Sequence, residues 1–580
     1  MSSPRNSKLG TVYSVFECCM RSDTNLLSTV KMYRFPASPS RRLQWEAALQ
    51  RKNWKANPKS VLCNKHFITE FQNDVQVIFD EISVNKNIAC ASINIVKGSI
   101  YLKGDYFIPL KSNHMLRINC KELLEKLKNI SSVLAVEVDS NYNLLFCLQR
   151  TTVYEAVLQQ VEEYSTEYGM LQNNKSVLVL IDTDKMGSFD SVRNVLLAEH
   201  IISLLVANKV KVLYSEYTFE TAKEYPKCTK LLCSDSCPSL TDISKELANK
   251  AVVSNWKMDL EETENICLDS KKYVEDNNLK QKYGQVLNSI TLFKDNIDKN
   301  LHRTSYIKHL LKDHISVMPD FILHIASQRH DRQVYKAGIL LEMLEEFNNV
   351  HVYIFNQSIQ YKDTNNSSIN DFIQAYRLEV VAAMTHKYDS FTTSDETWNS
   401  RIESLVDTAV KFDFLKVNHN SIINLKSPDS PERGKNFGIF VQYNFARLSN
   451  LFRNFEIKVK EGYYKPLQSL KEVDFSLLKL EEEWNLFHFV LSFPNLVQNV
   501  LNCLLSHGNM KIRYRLNKIC LMLQELCQYL SLYYSKIRIL SGPQIHLQKT
   551  MNARLWLLKG IHQVFKNSFI LLNVSGLDVM

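Results

Sequence analysis

One short run constrains this chain more than any other: SVLVLID at residues 176–182 has no polar face. A strand lying on water alternates apolar and polar residues. An unbroken apolar strand must therefore be covered on both sides, as in a parallel sheet flanked by helices. VRNVLLAEHIISLLVANK (192–209) follows with helical spacing, and VKVLYSE (210–216) supplies the next strand. That is a βαβ unit. FILHIAS (321–327), VYKAGILLEMLEEF (334–347) and VHVYIF (350–355) repeat the pattern. Residues 217–300, polar and charged, read as an insertion between the two units.

Upstream, residues 92–110 alternate and break at Gly like a hairpin. Residues 116–130 have helical spacing, and 133–148 read as two strands about a turn. From about residue 437 only helical periodicity remains. Apolar stripes run over 437–455, 481–505, 512–540 and 551–574, with the acidic stretch 471–483 and SGPQIHLQK (541–549) between helices. Four such helices make a bundle.

Charge is distributed unevenly. Residues 1–70 hold 12 Lys+Arg against 4 Asp+Glu, and residues 430–580 hold 19 against 10, which leaves a net −8 for residues 71–429 out of the total of +9. Basic ends are the electrostatic footprint of nucleic-acid contact, although Lys and Arg also solubilise helix faces. The 13 Cys are scattered and odd in number, which suits free thiols in a reducing compartment. MSSPRNSKLGTVYS has no apolar signal core, so the expected location is cytoplasmic. With only 14 Gly, a Gly-rich phosphate-binding enzyme is not the first expectation.

The C-terminal third carries a resemblance. QYNFARLSNLFRN resembles the QYAYAR segment that opens the anticodon-binding region of arginyl-tRNA synthetases. EEEWNLFHFVLSFPNLVQNV, YLSLYYSKIRIL and NARLWLLKGIHQVFKNSFILLNVSGLDVM resemble three further segments of that region, in the same order and ending on Met. Anticodon loops offer splayed single-stranded bases to aromatic faces and base-edge donors. The candidates are Tyr443, Tyr514, Tyr529, Tyr533, Tyr534 and Trp556, interleaved with Arg447, Arg513, Arg515, Arg554, Lys559 and Lys566, and the closing Met580. The spacings of Tyr529, Tyr533 and Trp556 equally suit a packed core. Arg447 and Arg554 equally suit helix-pair contacts.

The middle resembles a class I synthetase body without its chemistry. The strand–loop–helix from residue 178 resembles the arginyl enzyme's segment in which HxGHxRN leads into the helix. Arg193-Asn194 matches, but Ser188, Phe189, Asp190 and Ser191 stand at the HxGH positions. Those histidines would bind the ATP phosphates and stabilise the transferring centre. QYKDTNNSSINDF (360–372) stands where a KMSKS-type loop is expected, without its Lys pattern. Residues 71–165 resemble, more weakly, the extra N-terminal domain of arginyl-tRNA synthetases.

Together these features are similar to the DALR anticodon-binding domain-containing protein 3 family. That resemblance implies a non-enzymatic adaptor that recognises arginine tRNAs and supports 3-methylcytidine formation at cytidine 32 of the anticodon loop by a partner tRNA cytidine-N3 methyltransferase. An active arginine-tRNA ligase is the disfavoured alternative.

The N-terminal segment resembles a truncated THAP-type zinc finger. It carries RFP, a Trp45 helix and C-x2-H at Cys63 and His66, with Cys19 upstream as the third metal ligand. A fourth ligand is missing, and Cys18 adjoins Cys19, which suits tetrahedral chelation poorly. No cofactor is expected apart from zinc at that fragment. A THAP-type DNA-binding regulator, with nuclear location, is the second alternative. Cys228, Cys233 and Cys237 lack a fourth ligand and read as free cysteines, and His324 and His330 as structural.

The expected architecture has four parts. Residues 1–70 form the THAP-like fragment, 71–165 an α/β domain, 166–430 a degenerate Rossmann-like synthetase body with the insertion 217–300, and 431–580 an all-α anticodon-binding bundle.

Overall fold

Contacts divide the chain into two units, each assembled from separated segments. The computed structural model describes residues 32–34, 61–63, 94–95, 106–109, 133–138 and most of 143–579. Cys19, His66, Cys228, Cys233, Cys237, Arg513, Tyr514, Arg515 and Met580, and the expected helix at 116–130, lie outside the described residues.

The smaller unit comprises residues 1–165, 466–495 and 539–560. Strands β1 (Met32–Arg34) and β2 (Val61–Cys63) pair antiparallel. Strands β3 (Asn94–Ile95), β4 (Tyr106–Pro109), β5 (Val133–Val138) and β6 (Asn143–Leu148) form an antiparallel sheet in the order β3-β4-β6-β5. Its pairings place the expected hairpin at 92–110 and the two strands at 133–148. Helix α1 (Arg150–Tyr164) buries Val153, Tyr154, Leu158 and Val161, a stripe at helical spacing. Tyr154 packs on Phe487 at 4.3 Å and edge-on to Trp484 at 5.3 Å. Arg150 pairs with Glu481 at 2.7 Å.

The larger unit comprises residues 166–465, 496–538 and 561–580. Its sheet runs β14-β13-β7-β8-β9, every neighbour parallel. The strands are β7 (Ser176–Ile181), β8 (Lys211–Glu216), β9 (Thr229–Lys230), β13 (Phe321–Ser327) and β14 (Val350–Asn356). Val177 through Ile181 are buried without interruption, as the run without a polar face requires. Helix α2 (Phe189–Ala207) makes the first crossover.

The described parts of the insertion form regular elements. It contributes β9, helices α3 (Leu240–Val253) and α4 (Ser270–Asp276), and a small antiparallel sheet of β10 (Lys257–Met258), β11 (Ile266–Leu268) and β12 (Ile290–Leu292). Its sparse apolar residues converge: Ile243, Leu247, Leu268 and Tyr273 bury themselves with Val334, Ile339 and Leu340. Helices α5 (Lys299–Asp313) and α6 (Asp331–Met343) also cover the sheet. His324 meets His351 at 3.0 Å, both fully buried between adjacent strands. After β15 (Ile359–Tyr361), helices α7 (Ile369–Lys387) and α8 (Glu396–Leu415) and strand β16 (Ile423–Leu425) enclose a second core.

The C-terminal helices are α9 (Phe437–Lys460), α10 (Glu481–Leu505), α11 (Lys518–Lys536) and α12 (Ile545–Leu572). Residues 545–549, read from sequence as part of a separator, belong to α12. The first parts of α10 and α12 are counted with the smaller unit, and their ends, with α9 and α11, with the larger.

Candidate nucleic-acid interface

Helix α9 has well-defined ends. The Asn436 side chain accepts from the Ile439 amide at 3.2 Å and caps the start. Gly462, at φ +74°, provides the left-handed residue that lets the chain turn back, with the Tyr463 amide bonded to the Lys458 carbonyl. One face of α9 is packed: a Cβ on Gly438 would lie 2.6 Å from the Thr408 carbonyl, so α9 presses against the backbone of α8. Buried Gln442 donates to Thr408 and to the Ser575 carbonyl and accepts from the Leu577 amide, which fixes the chain's final segment along α9. Ser449 reaches Asp578 and His562, each at 2.9 Å.

The opposite face carries the first candidates. Tyr443 is 41% exposed. Arg447 lies with its guanidinium 4.0 Å over the ring of Tyr534 on α11, and Ser531 donates to Asn444 beside it. Burial pushes the Tyr534 hydroxyl well above its ordinary range, and Arg447 partly offsets this. A guanidinium over a ring is held by its carbon face and can still donate N–H groups to a ligand. Tyr529 is 38% exposed on the same helix.

Tyr533 is a correction. It is fully buried, in line with Leu526 and Leu530, so its ring packs the core and has no face for a base. Adjacent helical residues differ by about 100° in direction, which separates it from Tyr534.

The candidates of the smaller unit are also engaged internally. Arg554 donates to Glu483 at 2.8 Å, and Glu483, fully buried, also accepts from the Leu480 amide. Arg554 therefore neutralises a buried carboxylate that starts α10, and its role is structural. Trp556 is buried and donates to the Gln468 carbonyl. Lys559 sits 4.0 Å over the Trp556 ring and 3.3 Å from Glu162. It is about half exposed, so part of its charge faces solvent. In the larger unit, burial, helped by exposed Lys566, holds the His562 imidazole down to about 4. Sequence reasoning missed Lys458, which lies 5.1 Å over the ring of Tyr463, itself 46% exposed. The available signal was a basic helix end running into EGYYK.

The segment at the HxGH positions is occupied by contacts of its own. Ser188 caps α2 and bonds Ser191 at 2.8 Å. Phe189 stacks on Tyr361 at 5.6 Å and edge-on to Phe372. Asp190 accepts from the Ile359 amide and lies 3.4 Å from Arg329. Arg193, almost fully buried, donates to the carbonyls of Gln357, Ser421 and Asn418. Burial lowers its guanidinium to about 10, against the pull of Asp190. Asn194 bonds the Asp182 carbonyl and Asn356. Asp182, at the end of β7, pairs with buried Arg303 at 2.9 Å, and His330 stands 3.8 Å away. Among the described residues, the side chains at the carboxyl ends of the parallel strands, where such sheets receive ligands, mostly bond one another and nearby backbone, although the buried Asn356 Oδ1 has no hydrogen-bond partner.

Residues 441–580 match the family described as DALR anticodon binding domain. The C-terminal region is therefore similar to DALR anticodon-binding domains. Residues 13–90 match the THAP domain, a span that runs past the segment expected from sequence; of its candidate ligands only Cys63 falls in a described strand, β2. The rat DALR anticodon-binding domain-containing protein 3 is 24% identical over 74% of this chain and 83% of its own length. The mouse protein of that name is 32% identical over 35% of this chain and 39% of its own length. The arginine–tRNA ligase of Geobacter metallireducens is 30% identical over 24% of this chain and 22% of its own length. Among solved structures, the arginyl-tRNA synthetase of Thermus thermophilus aligns over 88% of this chain and 99% of its own, with a TM-score of 0.57 at 12% identity. That of Plasmodium falciparum aligns over 88% and 98%, with a TM-score of 0.55 at 13% identity. The fold is thus similar to that of arginyl-tRNA synthetases, and its C-terminal region matches the DALR family.

Proposed function

We propose that this protein is a non-catalytic tRNA adaptor that recognises arginine tRNAs through its DALR domain and presents the anticodon loop to a partner cytidine-N3 methyltransferase, which forms 3-methylcytidine at position 32. The observation that carries the recognition half is the open face of α9. Tyr443 is exposed and Arg447 is preorganised over Tyr534, within the stretch that matches an anticodon-binding family. Absence of ligase chemistry is supported by the segment Ser188 to Ser191, whose polar groups bond each other and their neighbours rather than facing a triphosphate. Asp190 would also repel phosphate at that position. The methyltransferase link rests on the resemblance to proteins named DALR anticodon-binding domain-containing protein 3, and a cytoplasmic location accords with it.

The test has two arms on the full chain. Arginine tRNA should bind more tightly than other tRNAs, and R447E should weaken binding at least about 10-fold, the order of one lost base or phosphate contact. Arginine-dependent ATP–pyrophosphate exchange should stay at the no-enzyme background. Exchange above that background overturns the adaptor reading.

A second reading is favoured by the THAP match at residues 13–90. The donors Cys19, Cys63 and His66 number one fewer than a closed structural zinc site takes. Preferential binding of duplex DNA over tRNA is the outcome that would support it.

A further inference from the structure

Helix α9 carries one continuous exposed stripe of consistent chemistry. Tyr443, Arg447, Asn450, Asn454 and Lys458 follow one another at steps of four, three, four and four residues, which keeps them on one face. Tyr443, Asn450 and Asn454 are exposed, and Arg447 and Lys458 half-buried. At about 1.5 Å per residue the stripe is about 22 Å long. Each end pairs a cation with an aromatic ring: Arg447 over Tyr534 at 4.0 Å, beside exposed Tyr443, and Lys458 over exposed Tyr463 at 5.1 Å. Arg538 acts electrostatically on Tyr464 at the second end and is itself exposed. Between the ends stand two carboxamides. No carboxylate falls on the face between Tyr443 and Lys458; Glu456 points about 140° away, and Glu461 lies beyond the helix at its cap.

We infer that this stripe is a track for the single-stranded loop of tRNA, in which Asn450 and Asn454 read base edges and the Lys458–Tyr463 pair holds a second stacked base or its phosphate. A carboxamide offers one donor and one acceptor side by side, the pattern presented by a base's pairing edge. A cation beside a ring takes a base face and a phosphate together, without regard to sequence. The stripe therefore separates affinity, at its two ends, from discrimination, in its middle. Two cations on a face of α9 that carries no carboxylate of its own match a polyanion. This assignment rests on the tRNA-binding reading above and adds the residues that confer selectivity.

The experiment measures equilibrium binding of the full chain to an arginine tRNA, to a tRNA of another amino acid, and to a chimera carrying only the arginine anticodon loop. N450A/N454A should lower affinity for the arginine tRNA and the chimera about 10-fold while leaving the other tRNA unchanged. K458A/Y463A should weaken all three. Unchanged thermal melting shows that both variants fold. If N450A/N454A keeps wild-type discrimination while R447E loses binding, the track is wrong and the tRNA-binding reading stands. If the wild-type chain prefers no tRNA, that reading fails and the track with it. If either double variant loses a bound protein while retaining tRNA, the stripe is a protein interface, and the inference is overturned.

Discussion

Two polar regions of the larger unit, the carboxyl ends of the parallel strands and the open face of α9, hold similar side chains put to opposite uses. Among the described residues at the strand ends, arginine, asparagine, aspartate and serine are mostly engaged with one another and with backbone groups. Arg193 serves three backbone carbonyls, Asn194 bridges Asp182 and Asn356, and Asp190 meets Arg329 and the Ile359 amide. On α9, Arg447 lies over the ring of Tyr534, its one ring or polar contact among the described residues, and Asn450 and Asn454 are exposed. Buried polar groups must find partners inside the protein or pay desolvation, so a filled region contributes rigidity and offers a ligand little. Exposed groups on a rigid helix can exchange water for a ligand at low reorganisation cost. Residue type alone does not separate a spent site from a live one; the state of its hydrogen bonds does.

That contrast predicts a largest effect on stability. R193A should cost about 3 kcal/mol or more, because three buried carbonyls lose their donor. Urea denaturation would measure it, and a loss under 1 kcal/mol would mean the strand ends are less tightly bound together than described. R447A, by comparison, should melt within a degree or two of wild type.

The next effect is on pH dependence. Burial holds His562 down to about 4, and it lowers fully buried His200, whose ring nitrogens lie 2.7 and 3.2 Å from the Leu571 and Leu516 carbonyls. Both are favoured neutral in the fold, whereas the unfolded chain protonates them near 6.5. The contribution of His562 is therefore complete above pH 6.5 and is lost as pH falls toward 4, by at most about 3 kcal/mol, and that of His200 is lost in the same direction. Urea midpoints at pH 7.5, 6 and 5 should fall in that order, and H562Q should flatten the slope. A midpoint that rises on acidification contradicts this assignment. His200, bonded to the Leu571 carbonyl, and Lys411, bonded to the Asn573 carbonyl, tie the chain's final segment into the larger unit.

Much of this was legible in the sequence where one physical requirement acted alone. The apolar runs at 176–182 and 321–327 had no solution but a covered parallel strand. The insertion was harder because its apolar residues are sparse and meet only in space, Ile243 and Leu247 finding Val334 and Ile339. Tyr533 and Tyr534 are neighbours with equal claims until the helix face is known, and only the buried series Leu526, Leu530 decides between them. Arg554 looked like a ligand because its carboxylate, Glu483, lies 71 residues away in sequence. Asn450 and Asn454 gave no signal, since amides on solvated helix faces are common.

The most direct measurement is ultraviolet crosslinking of the full chain to arginine tRNA, followed by mass spectrometry of the nucleotide-bearing peptides. The account places crosslinks in residues 437–464 and 518–538, with those to the anticodon loop concentrated at Tyr443, Tyr463 and Tyr534. Crosslinks concentrated instead in residues 182–200 and 327–335, around Asp190 and His330, would show that the strand ends bind RNA and would contradict the division between a filled site and an open one.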